Sequence, residues 1–222
     1  MISADDIRAA LSLVAYDSDL ARLTMSPPGA RIQPPDIEPR QAGVLVLIFP
    51  DEQGEMHLVL TKRTERLRGH SGQVSFPGGR RDPEDPSFEA TALREACEEV
   101  GLCAQTPLEI VGRLTTIYIP PSNFSVVPVV ALANHMPRFI LNAHEVAELL
   151  IVPLSDLFNP LLKQTEEWDF TGRSVRIRFY LLCGHKVWGA TAAMLSEFEH
   201  RLRRVIPAQR LSLLRMTGIE RT

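Results

Sequence analysis

Residues 94–102 have the sequence Arg-Glu-Ala-Cys-Glu-Glu-Val-Gly-Leu. They close the stretch from Phe88 to Val100, which has no internal proline or glycine and has the clearest helical pattern in the chain. Positions i, i+3 and i+4 of a helix share a face, so the side chains of Glu95, Glu98 and Glu99 should project together. Apolar residues between them form a stripe that can dock on a sheet. The stretch therefore predicts an amphipathic helix that presents clustered carboxylates.

Carboxylates this close raise one another's pKa unless a cation compensates their charge. A divalent ion is the simplest such cation, and Mg²⁺ takes oxygen ligands from a few carboxylates and from substrate phosphates. Upstream, Gly78-Gly79 would let the backbone approach the ion, because no Cβ stands in the way. A solvated acidic helix face is the alternative explanation. Arg94 before the carboxylates, Gly101 after them and the glycine pair favour a Mg²⁺ site, with Mn²⁺ as an alternative ion.

The segments around this helix predict an α/β (α+β) fold. The apolar run 42–49 predicts a strand covered on both faces, and residues 56–63 would complete a hairpin with it. Strands followed by a central helix, more strands and a closing helix indicate a mixed β-sheet sandwiched between α-helices. The other expected elements are strands at 108–118, 125–133 and 175–182 and a helix at 190–204.

The chain divides into three parts. Residues 1–41 combine a helical segment at 3–24 with a proline-rich arm, and are too short for an independent domain. Residues 42–206 form the main domain and residues 207–222 a C-terminal tail, of which the last dozen residues are expected to be loosely held. The prolines and apolar residues of the arm could pack on a second subunit, which would give a homodimer.

The composition, with 45% hydrophobic and 23% charged residues, is that of an ordinary globular protein. A net charge of −3 excludes a broad basic field, so we expect no nucleic-acid partner. The first residues lack the order of a signal peptide and the apolar runs are short, so we expect a cytoplasmic protein without a membrane partner. The cysteines are odd in number and lack metal-ligand spacing, so we expect reduced, buried thiols at Cys97, Cys103 and Cys183.

The region from Gly79 to Leu102 resembles the Nudix box, whose general form is G-x5-E-x7-R-E-U-x-E-E-x-G-U, where U is an apolar residue. Residues 94–102 match its second half at every defined position. The first half is one residue longer than the general form, and Asp85 stands where the early glutamate would be. The resemblance implies a Nudix fold and hydrolysis of a nucleoside diphosphate linked to another group.

Residues ahead of the box are similar to the signature of the coenzyme A pyrophosphatase branch of the Nudix superfamily, which also has the longer spacing with an aspartate. The implied reaction splits coenzyme A or acyl-coenzyme A into 3′,5′-ADP and (acyl-)4′-phosphopantetheine. A Nudix hydrolase of ADP-ribose, dinucleotides or modified nucleoside triphosphates is one alternative. A catalytically silent nucleotide-binding module is another, although such modules would be expected to lose box glutamates. The signature residues are Leu60-Thr61-x-Arg63, Arg68, Gly72 and Phe76-Pro77-Gly78-Gly79.

By resemblance, Glu98, Glu99 and the Gly78 carbonyl are the principal metal ligands. Glu95 is either a further ligand or the base that orients water. Arg94 would pair with one of these carboxylates and hold its rotamer, as a guanidinium fork does well.

The general base could instead come from outside the box, where Glu145 and Glu148 precede a strand-like segment. Either residue could equally lie on the solvated side of a short helix. Both therefore remain candidates for the catalytic base.

A local basic cluster would suit the diphosphate and 3′-phosphate of coenzyme A, because arginine binds phosphate oxygens bidentately. A solvated loop with compensating charge from Glu65 is the alternative. Gln73 could add a hydrogen bond to the substrate. Phe124, in a proline-rich loop, could stack on adenine, although that loop could equally be a structural turn. The cluster consists of Arg63, Arg66, Arg68 and His70.

Overall fold

The computed structural model describes residues 1–14, 16–26, 38–65, 72–103, 107–170 and 172–217. Its helices are α1 (Ala4–Leu11), α2 (Ser18–Leu23), α3 (Phe88–Val100), α4 (Gly189–Val205) and α5 (Ala208–Thr217). Its strands are β1 (Arg40–Pro50), β2 (Met56–Arg63), β3 (Val74–Ser75), β4 (Gly78–Arg80), β5 (Leu108–Arg113), β6 (Ile117–Ile119), β7 (Phe124–Ala133), β8 (Val146–Pro153), β9 (Lys163–Phe170), β10 (Arg173–Leu182) and β11 (His185–Val187). None of the described helices is long and apolar enough to cross a membrane.

A mixed sheet forms the centre of the fold, as the sequence predicts. β1 runs parallel to β7 and antiparallel to β2 and β4, and the main order of strands is β3-β2-β1-β7-β5. Strands β9, β10 and β11 form a second, antiparallel sheet. Leu45 and Leu47 of β1 join the core beneath α3, whereas Val46 and Ile48 join the core beneath α4. The apolar run 42–49 is therefore covered on both faces.

Helix α3 has the predicted bounds and is capped at both ends. The Ser87 hydroxyl oxygen accepts a hydrogen bond from the Ala90 amide at 3.2 Å. Gly101, with φ of 75°, ends the helix in the left-handed region. The helix lies close to β1, because a Cβ on Gly43 would come within 2.9 Å of the Phe88 carbonyl oxygen. This close approach fixes the height of the carboxylate face above the sheet.

Two sequence expectations about chain segments are corrected. The single strand expected at 108–118 is divided into β5 and β6, which both pair with β7. The tail expected to be loose contains α5, which is held by the buried side chain of Leu214 and by an Arg210–Asp6 ion pair at 2.6 Å. These long-range contacts are not visible in the local sequence. Of the proline-rich arm, residues 27–37 lie outside the described residues.

A disulfide joins Cys97 and Cys103, so the expectation of reduced, buried thiols is wrong for this pair. The left-handed turn at Gly101 brings Cys103 back beside the last turn of α3, with a Cα–Cα distance of 4.5 Å that a disulfide can span. Cys183 is free and exposed. An odd number of cysteines therefore still contains one bonded pair.

A buried ion network docks the N-terminal helices on α4. The carboxylate of Glu197, with 0% of the residue exposed, accepts hydrogen bonds from the Nε atoms of Arg22 and Arg201, both at 2.9 Å. The Thr115 hydroxyl donates to the same carboxylate at 2.9 Å. Because all the charged partners are buried, removal of one leaves the others without compensation.

Replacing Glu197 with alanine should lower the free energy of unfolding by about 3–5 kcal/mol, because Arg22 and Arg201 would stay buried without a counter-charge. Urea denaturation followed by circular dichroism measures the change. Glu167→Ala is the control: it removes an exposed pair with Arg176 at 3.7 Å. That change should cost less than about 1 kcal/mol. Equal effects of the two substitutions would contradict the role of the network.

Candidate active site

Glu99 is the most deeply buried carboxylate of the box, with 3% of the residue exposed. The Gly78 amide donates to its Oε2 at 3.2 Å, and Arg63 Nη1 lies 3.5 Å from its Oε1. Burial nevertheless raises the pKa of Glu99 to about 7, and the charges of Glu95 and Glu145 act in the same direction. The site therefore holds more negative charge than its own hydrogen bonds and arginine compensate.

The carboxylate of Glu95 lies directly against Gly79. A Cβ on Gly79 would come within 2.5 Å of the Glu95 Cδ, so a side chain at that position would displace the carboxylate. Burial raises the pKa of Glu95, while Arg94 lowers it and the charges of Glu98 and Glu145 raise it further. Because Gly79 has no side chain, the Glu95 carboxylate can pack directly against the backbone at this position.

Arg94 pairs with several carboxylates at once, where the sequence led us to expect a pair with one of them. Its Nη1 lies 3.0 Å from Glu95 Oε1 and 3.2 Å from Glu98 Oε1. Its Nε and Nη2 donate to the two oxygens of Asp85 at 3.1 and 3.0 Å. This bidentate bond lowers the pKa of Asp85 to about 2. The aspartate at the early box position therefore fixes Arg94, which in turn holds Glu95 and Glu98.

Glu145 lies close enough to Glu95 and Glu99 for its charge to raise the pKa of both. A short loop before β8 carries it there. The Asn142 amide N–H donates to the Glu99 carbonyl oxygen at 2.9 Å, and the Asn142 side-chain Nδ2 donates to Glu145 Oε1 at 3.3 Å. Asn142 therefore connects the end of α3 to Glu145. The local sequence does not reveal Asn142, because its bond to Glu99 joins segments about forty residues apart.

The structure does not bring Glu148 to the box carboxylates. Its Oε2 lies 3.0 Å from His185 Nε2 on β11. Leu150 and Val152, which follow Glu148 at alternate positions of β8, belong to the core on the α4 side of the sheet. Side chains alternate between the faces of a strand, so Glu148 is directed away from α3.

The residues expected to bind substrate do not form one cluster among the described residues. Arg63 is directed at Glu99, as described above, and its amide donates to the Gln73 carbonyl oxygen at 3.0 Å. The ring of Phe124 has the Arg40 guanidinium 4.2 Å above its centre, so one of its faces is already covered. Arg66, Arg68 and His70 lie outside the described residues.

The donor set fits a hard divalent cation. Among the residues that the structure describes, two arginines adjoin the carboxylates of Glu95, Glu98, Glu99 and Glu145, namely Arg63 and Arg94, and Arg94 also compensates Asp85. An excess of carboxylate oxygens over compensating cations is the environment that Mg²⁺ or Mn²⁺ favours.

A second carboxylate–histidine group lies at the turn between β1 and β2. The ligand atoms of Asp51, Glu55 and His57 are within 4.8 Å of one another. Local turn bonds explain this arrangement, because Asp51 Oδ1 accepts from the amides of Gln53 and Glu55 at 2.9 and 2.8 Å. We therefore assign no metal to it.

The NUDIX domain family matches residues 39–173, more than half of the chain. The chain belongs to the Nudix family. The protein described as uncharacterized Nudix hydrolase NudL from Pectobacterium atrosepticum is 40% identical over 174 residues, which cover 74% of this chain and 85% of the relative. A protein of the same description from Photorhabdus laumondii is 34% identical over 181 residues, which cover 82% and 93%.

The solved structure of a Nudix hydrolase from M. smegmatis, RenU, has the same fold. It matches with a TM-score of 0.52 and 20% sequence identity, over 82% of this chain and 95% of that chain. The family match and the NudL relatives identify this chain as a Nudix hydrolase, a class that acts on nucleoside diphosphate-linked substrates and generally uses divalent metal ions.

Replacing Glu99 with glutamine should stabilise the protein in EDTA at pH 8. The folded-state pKa of Glu99, about 7, lies above its ordinary value of 4.5, so the folded state binds the proton more tightly. Stability from this group is present below pH 4.5 and is lost as the pH rises to 7, by up to about 3 kcal/mol. A neutral glutamine does not ionise, so the variant should not lose this stability as the pH rises. Urea unfolding at pH 5 and pH 8 measures the free energy of unfolding at each pH.

The matched control is Glu98→Gln, because the Glu98 side chain is 53% exposed. This variant should retain the pH dependence of the wild type. If Glu99→Gln also retained the full dependence, the buried charge of Glu99 would not be its source.

Proposed function

We propose that this Nudix hydrolase cleaves coenzyme A or acyl-coenzyme A to 3′,5′-ADP and (acyl-)4′-phosphopantetheine. The observation that carries the proposal is that branch-signature residues contact the box carboxylates. Arg63 and Gly78 contact Glu99, and Gly79 adjoins Glu95. The branch's aspartate, Asp85, holds Arg94, which reaches Glu95 and Glu98. The signature residues therefore lie in contact with the carboxylates at which we propose that the reaction takes place.

In this proposal Glu98, Glu99 and the Gly78 carbonyl hold Mg²⁺ or Mn²⁺, with Glu95 as a further ligand. The bound ion would neutralise charge on the diphosphate and make water a better nucleophile. Arg94 limits the rotamers of Glu95 and Glu98, so these carboxylates are oriented before the substrate arrives.

Glu145 is the proposed general base. Its Oε1 accepts a hydrogen bond from the Asn142 side-chain Nδ2 at 3.3 Å, which leaves Oε2 to accept a proton from the attacking water. Its position beside Glu95 and Glu99 supports this role. We leave Glu148 out of the mechanism, because its carboxylate pairs with His185 on the other face of the sheet.

A substrate panel with Mg²⁺ tests the proposed substrate. We expect the highest kcat/KM with coenzyme A or an acyl-coenzyme A, because the signature residues of that branch adjoin the carboxylates. Chromatography of the products should show 3′,5′-ADP, and reaction in ¹⁸O-water should reveal which phosphorus is attacked. If ADP-ribose, a dinucleotide or a nucleoside triphosphate were turned over faster than coenzyme A, the proposed substrate would be wrong. Glu98→Gln is the inactive control for contaminating hydrolases.

A pair of substitutions tests the general base. Glu145→Gln should lower kcat by about 10²–10⁴-fold, the usual contribution of a general base, and should remove the acidic limb of the pH–rate profile. Glu148→Gln is the matched control and should change kcat by less than about threefold, because it removes only a partly exposed ion pair with His185. A larger loss in Glu148→Gln than in Glu145→Gln would exchange the two assignments.

A further inference from the structure

A cavity of about 390 Å³ opens between the start of β1 and the turn after β4. It is lined by residues 38–41 and 80–83, and its volume falls in the range of small-molecule sites, about 300–1,000 Å³. The Arg81 amide donates to the Gln41 carbonyl oxygen at 2.9 Å, which joins the two walls. The two segments that line the cavity are thus joined through their backbones.

Two of the lining arginines are fixed without loss of charge. The Arg40 guanidinium lies over the Phe124 ring and donates to the Ser122 carbonyl oxygen. The Arg81 guanidinium donates to the Asp85 carbonyl oxygen at 2.9 Å. A carbonyl partner orients a guanidinium but does not neutralise it, so both side chains keep their positive charge beside the cavity.

Arg80 supplies a third, uncommitted cation. Its side chain is exposed, and within the described parts of the chain its guanidinium has no hydrogen-bond or ion-pair partner. The carboxylates on the lining are those of Glu38, which is exposed, and Asp82, whose Oδ2 lies 3.7 Å from Arg94 Nη2. The lining residues thus carry three guanidiniums and two carboxylates, one of which is partly compensated by Arg94. The cavity favours an anion.

One side chain separates this cavity from the carboxylate cluster. Arg94 Nη2 donates to the Arg80 carbonyl oxygen at 2.9 Å, while its Nη1 pairs with Glu95 and Glu98. Arg63, the described member of the basic cluster ahead of the box, is instead directed at Glu99. A ligand that spans the carboxylates and the cavity would place one anionic group near each.

We propose that this cavity binds a phosphate monoester on the nucleotide part of the substrate, separate from the diphosphate that is cleaved. The inference rests on the proposed function, in which that group is the 3′-phosphate of coenzyme A. Arg80 binds two phosphate oxygens through its guanidinium fork, and Arg40 and Arg81 supply fixed positive charge. The cavity thus distinguishes nucleotides that carry this phosphate from those that lack it.

Isothermal titration calorimetry in EDTA tests the cavity without any turnover, with 3′,5′-ADP and 5′-AMP as probes. We expect the wild type to bind 3′,5′-ADP at least about tenfold more tightly than 5′-AMP, and Arg80→Gln to remove most of that difference. Arg80→Lys should restore part of it, since lysine keeps the charge but loses the fork. Arg176→Gln is the control, because Arg176 has a 68% exposed side chain on β10. Equal losses for both probes in Arg80→Gln would overturn the inference.

Hydrolysis of coenzyme A and 3′-dephospho-coenzyme A separates this inference from the proposed function. We expect Arg80→Gln to lower kcat/KM for coenzyme A at least about tenfold more than for the dephosphorylated substrate, mainly through KM. If the wild type cleaves neither compound, the proposed function fails and the calorimetry still decides the cavity. If it cleaves coenzyme A but Arg80→Gln affects both substrates equally, the cavity assignment fails and the proposed function stands.

Discussion

The guanidinium of Arg94 holds together the parts on which the active site depends. Its bidentate bond to Asp85 connects α3 to the turn after β4, and its Nη1 restrains the carboxylates of Glu95 and Glu98. Its bond to the Arg80 carbonyl oxygen extends the same connection to the neighbouring cavity. A planar fork with several donors can hold these groups in one arrangement, whereas a lysine ammonium could not reproduce the geometry.

The second constraint is an excess of negative charge in a partly dehydrated site. Glu99 is a buried residue of α3, and its neighbours Glu95 and Glu145 add to the cost of ionising it. The glycines at positions 78 and 79 contribute by size and conformation, since a Cβ on either residue would come within 2.5 Å of other atoms. Glycine backbone without side chains, carboxylate oxygens and uncompensated negative charge suit the site to a hard cation and to the phosphates that such a cation binds.

The surrounding fold keeps this cluster in place by distant contacts. The loop that carries Glu145 is bonded through Asn142 to the end of α3, and the disulfide between Cys97 and Cys103 closes the turn that follows the helix. On the other side of the sheet, Glu197 docks α2 against α4. The position of Glu145, the proposed general base, therefore depends on the end of α3 and on a loop beyond the segment that the Nudix box defines.

The sequence by itself determined α3, its carboxylate face, the glycine pair and the β1–β2 hairpin, because caps, helical periodicity and apolar runs act over a few residues. Only the tertiary structure distinguished Glu145 from Glu148, because the register of β8 on β2, with a shift between Lys62 and Arg63, decides which face each side chain occupies. The pairing of Arg63 with Glu99, the disulfide, α5 and the arginine-lined cavity likewise depend on chain segments that meet only after folding. A one-residue change of register or a different turn would alter each of them without altering the local pattern of the sequence.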